Sequence, residues 1–328
     1  MSSNEFFMTP ILFLIFKRPD TTKMVFNVIK KIKPKYLYIA QDGHRENKEG
    51  EKELCEEVRA IIKDIDWDCE LKTLFRDKNL GARGAVSSAI NWFFENVDEG
   101  IILEDDCVPS LTFFPYCEEL LSKYRNDERI MTISGDASPF KNRFNNSKYS
   151  YFFSHYSLTW GWATWKRVWK SYDVDLKNWN EVKKDKNSFP VLKNKIQRDY
   201  WFKMFNRMYV KMMDAWDYQW TYNSLINNGL AIIPKSNLIF NIGYGPDATN
   251  YNGAKDYRIE FPVKDIEFPL IHNIIDEENI EKIDIIIEKN AIYLFRSYIM
   301  RIFRKVRSSI YRFILKVFNI NLKNILKK

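Results

Sequence analysis

Apolar and polar residues alternate in blocks along the first part of the chain, and the period changes from block to block. Pro10–Phe16 reads PILFLIF, a continuous apolar run of the kind a parallel strand covered on both faces requires. Between Asp20 and Lys33 the apolar residues Met24, Val25, Val28, Ile29 and Ile32 return every three or four positions, which predicts a helix with one buried face. Tyr36–Ala40 reads as a second strand that stops at the turn Gln41-Asp42-Gly43. The same rhythm predicts a helix over Glu51–Ile65, a strand over Glu70–Phe75, a helix over Ala82–Val97 and a short buried strand over Gly100–Leu103. A helix over Leu111–Tyr124 and a strand over Arg129–Ser134 follow. Strand–helix alternation at this spacing builds βαβ units, and hence a doubly wound, mostly parallel sheet with helices on both faces.

From Tyr149 the pattern loosens. Tyr149–His155 is an aromatic, strand-like stretch, Lys/Asn-rich connectors occupy residues 177–188, and a helix is expected over Val191–Met213. Leu230–Pro234 and Leu238–Ile242 read as short strands ahead of the turn-rich GYGPDATNYNG. Near the end, Ile292, Phe295, Ile299, Phe303, Val306, Ile310, Phe313 and Val317 form one stripe, with Arg301, Arg304, Lys305, Arg312 and Lys316 largely off it. That is a basic amphipathic helix, suited either to an anionic membrane surface or to docking on its own domain. The chain divides by pattern into residues 1–136, 137–260 and 261–328.

Composition sharpens this in three places. Eight of the ten Trp lie between Trp160 and Trp220, which serves stacking on sugar rings and an aromatic core equally well. The net charge is +8, yet Lys289–Lys328 holds eleven Lys/Arg and no Asp/Glu, which leaves −3 for residues 1–288. A basic surface for nucleic acid is therefore not expected on the fold. Cys55, Cys69, Cys107 and Cys117 have neither CxxC spacing nor the density of a disulfide framework, the pattern of reduced thiols in a cytosolic setting. No secretory leader is read at the start, and the run Ile11–Phe16 is too short to span a bilayer.

Chemistry concentrates at strand ends. In α/β sheets ligands bind beyond the carboxyl ends of the strands, where Asp42 and the triplet Glu104-Asp105-Asp106 fall. With 43 acidic residues a triplet of acids arises by chance about 0.7 times, and Asp276-Glu277-Glu278 is a second one. The first differs by its context, because charge directly after a buried apolar strand needs a reason. A divalent cation such as Mn²⁺ or Mg²⁺, held by one or two carboxylates, neutralises a departing diphosphate. Arg18, in the turn Arg18-Pro19-Asp20, and Arg83, between Gly81 and Gly84, offer guanidinium groups to phosphate.

Taken together, TPILFLIFKRP, YLYIAQDG, NLGARGAV, GIILEDDCVPS, RIMTISG, WGWATW and AWDYQW occur in an order that resembles the GT-A nucleotide-sugar transferases. The resemblance covers residues 8–250 and runs to the N-acetylglucosaminyltransferase I-like branch and its bacterial relatives. It implies a GT-A fold with a nucleotide-sugar-binding half (1–136), an acceptor and catalytic half (137–260) and a C-terminal extension. Arg18 then matches an arginine that contacts the donor nucleotide, and Asp42 the aspartate that hydrogen-bonds the base, normally uracil. Asp106 matches the metal ligand, while Glu104 and Asp105 address ribose and sugar. Asp217, between Trp216 and Trp220, resembles the catalytic base. The relatives carry two adjacent acids between tryptophans, and this chain has Asp-Tyr-Gln, so Asp214 is the alternative register.

The implied activity is inverting transfer of a sugar, from a nucleotide-diphosphate donor expected to be UDP-linked, to a glycan or lipid-linked acceptor, and the basic tail implies a cytoplasmic protein peripheral on the inner face of the membrane. Trp160-Gly161-Trp162 is a candidate wall of the acceptor pocket, and Asn241-Ile242-Gly243 with Asp247-Ala248-Thr249 a candidate closing loop. A sugar nucleotidyltransferase is the rival enzyme, although it wants a glycine-rich, lysine-bearing loop after the first strand and FKRPDTTK is a poor version of one. A non-catalytic module binding glycans and membranes is the third possibility.

Overall fold

A computed structural model describes residues 6–140, 144, 146–193, 195–243 and 262–289. The chain opens with β1 (Ile11–Ile15), α1 (Pro19–Ile32), β2 (Tyr36–Gln41), α2 (Glu51–Ile61), β3 (Glu70–Phe75), α3 (Gly81–Asn96) and β4 (Glu99–Glu104). Every residue of β1 is buried. It pairs in parallel with β2 on one side and with β4 on the other, while β3 adds outside β2. The chain thus starts in the middle of the sheet, winds outward twice, and returns across β1 to lay down β4. Right-handed crossovers place α1 and α2 on one face and α3 on the opposite one, and α1 packs directly on α2.

The chain continues with β5 (Cys107–Pro109), α4 (Phe113–Tyr124), β6 (Ile130–Ser134), β7 (Tyr151–Ser154) and β8 (Trp162–Trp165). Two short helical turns, α5 (Lys166–Trp169) and α6 (Trp179–Val182), lead to α7 (Lys195–Tyr209), α8 (Asp217–Ile226), β9 (Leu230–Pro234) and β10 (Ile239–Asn241). The sheet order is β3-β2-β1-β4-β8-β6-β9-β7. Six strands run the same way, and β8 and β7 are reversed. The fold class is therefore the α/β, mostly parallel sheet that the alternation implied. The reversal at β8 was not legible, because WATW is buried along its whole length and shows no alternating polar face. A separate ribbon pairs β10 with β5, with Asn241 opposite Cys107.

Packing explains the elements. α1 buries Val25, Phe26 and Ile29 along one stripe, and α3 buries Ala89, Ile90, Phe93 and Phe94. The expected helix Glu51–Ile65 instead stops at Ile61 and tightens into a 3-10 turn, Ile62–Asp64. The helix expected over Val191–Met213 spans Lys195–Tyr209, with Lys211 in the left-handed region just beyond it (φ 57°).

The tryptophan-rich stretch forms a core. Trp162 stacks on Trp216 with ring centroids 5.6 Å apart and planes 21° apart, and Trp169 and Trp220 close around it. Neither Trp162 nor Trp220 retains any exposure, so of the two roles open to these rings packing is the one they fill. Trp160 is only partly buried.

Met1–Asp284 is one compact unit and Ile285–Lys328 a second. The basic amphipathic stripe and Asp247-Ala248-Thr249 lie outside the described residues. Among the described residues no helix is long and apolar enough to cross a membrane.

Candidate active site

The carboxyl ends of β1 and β4 meet at the point where the strand order reverses, the place at which such sheets bind ligands. Leu14 pairs with Glu104, so the residues that follow each strand, Phe16-Lys17-Arg18 and Asp105-Asp106, run side by side. Asp105 is buried (3% exposed), and the Arg18 guanidinium donates to both of its oxygens, with Nε 3.3 Å from Oδ2. Arg18 Nη1 also lies 2.9 Å from Asp106 Oδ2. Burial works against the charge on Arg18, but Asp105 and Asp106 together hold its pKa above the ordinary value. Arg18 keeps about a quarter of its side chain at the surface (25%).

Asp106 is fixed from its other side by β10. Ile242 N–H donates to the Asp106 carbonyl at 2.8 Å, and the Cys107 thiol lies 3.4 Å from Oδ1. A Cβ on Gly243 would come within 2.0 Å of Asp106 Oδ2. Only a residue without a side chain brings the backbone this close to that carboxylate.

Glu104 is pushed well above the usual carboxylate range by burial, and further by the charges of Asp106, Asp105 and Asp217. Burial likewise lifts Asp105 to about 6, with Arg18 opposing and Asp106 adding to the rise. Asp217, the first residue of α8, is thus brought from the second half of the chain into electrostatic reach of the acids after β4. Its charge also raises the neighbouring Tyr172 and Tyr218 hydroxyls, although burial is the larger cause in both. Neither tyrosine stood out in the sequence. Tyr218 follows Asp217 directly, which is the one cue that pointed to it.

Four carboxylates with one guanidinium among them are short of positive charge, and like-charge repulsion is one source of the raised pKa values. All their donor atoms are hard oxygens, which fits Mg²⁺ or Mn²⁺. Among the described residues no group of three His, Cys, Asp or Glu has metal-holding geometry. A cation here would take one or two carboxylates and complete its shell from phosphate and water.

The other sequence-derived candidates lie around the start of α3. Asp42 accepts hydrogen bonds from the backbone N–H of Gly43, Leu80 and Gly81, and from the Asn79 amide. Burial raises its pKa, against the pull of those amides. Asp214, the alternative register for a base, accepts from Ala82 N–H at 2.9 Å and Arg83 N–H at 2.8 Å. The backbone amides of residues 80–83, at the start of α3, are therefore engaged by two carboxylates of the chain itself. The Arg83 guanidinium donates to the Met208 and Val174 carbonyls and to Asp175. Arg18, Glu104, Asp105, Asp106 and Asp217 share one locality, whereas Asp42 and Arg83 organise the turn beside it. Elsewhere, His155 pairs with Asp284 (Nδ1 to Oδ2, 2.7 Å), and Ser154 donates to the same carboxylate, a buried tie outside this site.

No protein-family model and no curated protein matches the sequence. Solved structures to which the chain is similar include apo mouse xyloside xylosyltransferase 1, at 9% identity and TM-score 0.31 over 66% of this chain and 81% of the other. The glycosyltransferase GlyE of Streptococcus pneumoniae TIGR4 aligns at 9% identity and TM-score 0.31, over 67% of this chain and 43% of its own. A putative glucose-1-phosphate thymidylyltransferase from Bacillus anthracis aligns at 10% identity and TM-score 0.30, over 63% and 85%. Superpositions this loose carry no weight for the chemistry of this chain, which rests on its own site.

Proposed function

We propose that the chain is an inverting glycosyltransferase of the GT-A type that uses a nucleotide-diphosphate sugar, with UDP as the expected nucleotide. The observation that carries this reading is that the charge of Asp217, from the second half, acts on Glu104 in the acid cluster after β4, where Asp106 pairs with Arg18. An anionic leaving group and a general base on the opposite side of the sugar are what a single in-line displacement needs.

Asp105 is the anchor that aims Arg18. The side chain keeps about a quarter of its surface exposed (25%), so a diphosphate arriving there would share the Arg18 N–H groups as negative charge builds on its oxygens. A divalent cation on Asp106 would supply Lewis-acid stabilisation of the same leaving group. Asp217 takes the proton of the acceptor hydroxyl. The hydroxyl oxygen bonds to the anomeric carbon as the bond from that carbon to the diphosphate breaks, and the electron pair leaves with the nucleotide diphosphate. The Tyr172 and Tyr218 hydroxyls remain neutral beside the base. The acceptor class is proposed as a glycan or a lipid-linked glycan.

Nucleotidyl transfer fits less well. Only Phe16, Lys17 and Arg18 separate β1 from α1, none of them glycine. Lys17 is turned to Glu51 at 3.0 Å, so no glycine-rich cradle for a nucleoside triphosphate is present in that turn.

The test is release of UDP from a panel of UDP-sugars with Mn²⁺, by the full chain and by Asp217→Asn. Loss of a general base costs on the order of 10²–10⁴ in kcat, with UDP binding retained. A variant that turns over at the wild-type rate would remove Asp217 from the chemistry and the reading with it.

A further inference from the structure

We propose that Asp214 is a positioning residue: by capping α3 from across the molecule it sets where Asp217 stands against the acid cluster. The proposal rests on the glycosyl-transfer reading and concerns a residue that does not itself touch substrate.

The first amides of a helix have no partner within it and are strong sites for a carboxylate. At α3 the four consecutive amides of residues 80–83 are divided between two acids. Asp42, at the end of β2, takes Leu80 and Gly81, and Asp214, from the second half, takes Ala82 and Arg83. Gly81 has φ +73°, and a Cβ there would lie 2.6 Å from Asp214 Oδ2. The glycine is therefore required both by the left-handed backbone and by the seat of that carboxylate.

The contact is reciprocal. Arg83 sends its guanidinium back to the Met208 carbonyl and to the Val174 carbonyl. The Val174 carbonyl also accepts from Gln219 Nε2, on the first turn of α8, at 3.3 Å. Tyr172 donates to the Trp216 carbonyl at 3.1 Å, and Trp216 is stacked on Trp162. Asp214 lies three residues before Asp217, so the stretch around the base is held at Asp214 and Trp216 before it and at Gln219 after it. Releasing the first hold frees the entry to α8. A displacement of about 1 Å at a reacting group lowers turnover on the order of 100-fold, with little effect on groups that bind the donor from the other half.

The experiment compares Asp214→Ala, Asp214→Asn and Gly81→Ala with the wild type and Asp217→Asn, all as full chains. UDP release is read from the UDP-sugar turned over fastest, with water as acceptor and Mn²⁺ present, alongside amide hydrogen exchange. Asp214→Ala is expected to lower kcat on the order of 100-fold at an unchanged donor KM, and to speed exchange at Ala82, Arg83 and residues 215–219. Asparagine, which still accepts N–H bonds, is expected to recover most of the loss. Gly81→Ala, which dislodges the carboxylate from the other side, should reproduce the Ala phenotype. Folded Asp214→Ala and Gly81→Ala proteins with kcat within twofold of wild type overturn the proposal, as does faster exchange confined to Ala82 and Arg83. Undiminished turnover by Asp217→Asn instead sinks the transfer reading, whatever the exchange data show.

Discussion

Three successive acids at the end of β4 receive three environments from one turn. Glu104 is buried among the charges of Asp106, Asp105 and Asp217, Asp105 is buried against Arg18, and Asp106 lies beside Gly243, just after β10. That they would need partners was legible, because a charged triplet directly after a buried strand is costly without one. What each one touches was not legible, since burial and the approach of β10 are set by pairing between residues more than a hundred positions apart. The same holds for Asp42 and Arg83. Their residue types suit a nucleotide, but the sequence does not show that the amides around Gly81 already hold Asp42 and Asp214.

A neighbouring acid gives a pH prediction at this scale. Glu51 is buried (2% exposed) and binds Lys17 and the Arg45 guanidinium and backbone. Burial alone would raise its pKa, but these partners hold it down at about 2, below its usual 4.5. A depressed folded-state value stabilises the native protein above the unfolded-state value and is lost as pH falls through the folded one. Between pH 4.5 and 2 the wild type should therefore lose roughly 1–2 kcal/mol more than Glu51→Gln, once solvent screening around Arg45 is allowed for. Urea unfolding at several pH values measures it, and parallel curves for the two proteins would show that the ion pairs contribute nothing.

At the scale of elements, the strands and helices of the first half follow the apolar pattern closely. The expected strand Glu70–Phe75 is the observed β3, and the expected Leu230–Pro234 is β9. The aromatic segment was ambiguous, because eight tryptophans suit a sugar platform and a core alike until burial is known. Trp220 is fully buried, with its indole N–H 3.1 Å from Thr132 Oγ1. Trp220→Ala should cost roughly 3–5 kcal/mol of folding stability, read by chemical denaturation. A platform for sugar would instead lose ligand affinity at nearly unchanged stability.

For the molecule as a whole, the sheet order puts the ends of β1 and β4 side by side at its switch point, and β8, β9 and β7 carry the second half into the same sheet. Alternation along the first 135 residues was enough to imply a parallel α/β sheet. It could not show that β8 enters reversed between β4 and β6, which joins the two halves through backbone hydrogen bonds. Because of that continuity, Asp217 and the β4 acids belong to one compact unit, and in the proposed mechanism a donor held at β4 meets a base from the other half.

The most direct test of the central claim is a calorimetric titration of UDP into the full chain, with Mn²⁺ and with chelator, for the wild type and Asp106→Asn. The expected result is wild-type binding at least tenfold tighter with Mn²⁺, a difference of about 1.4 kcal/mol or more, and no such dependence in the variant. Equal UDP affinity in all four titrations would contradict a cation-bridged diphosphate at the end of β4.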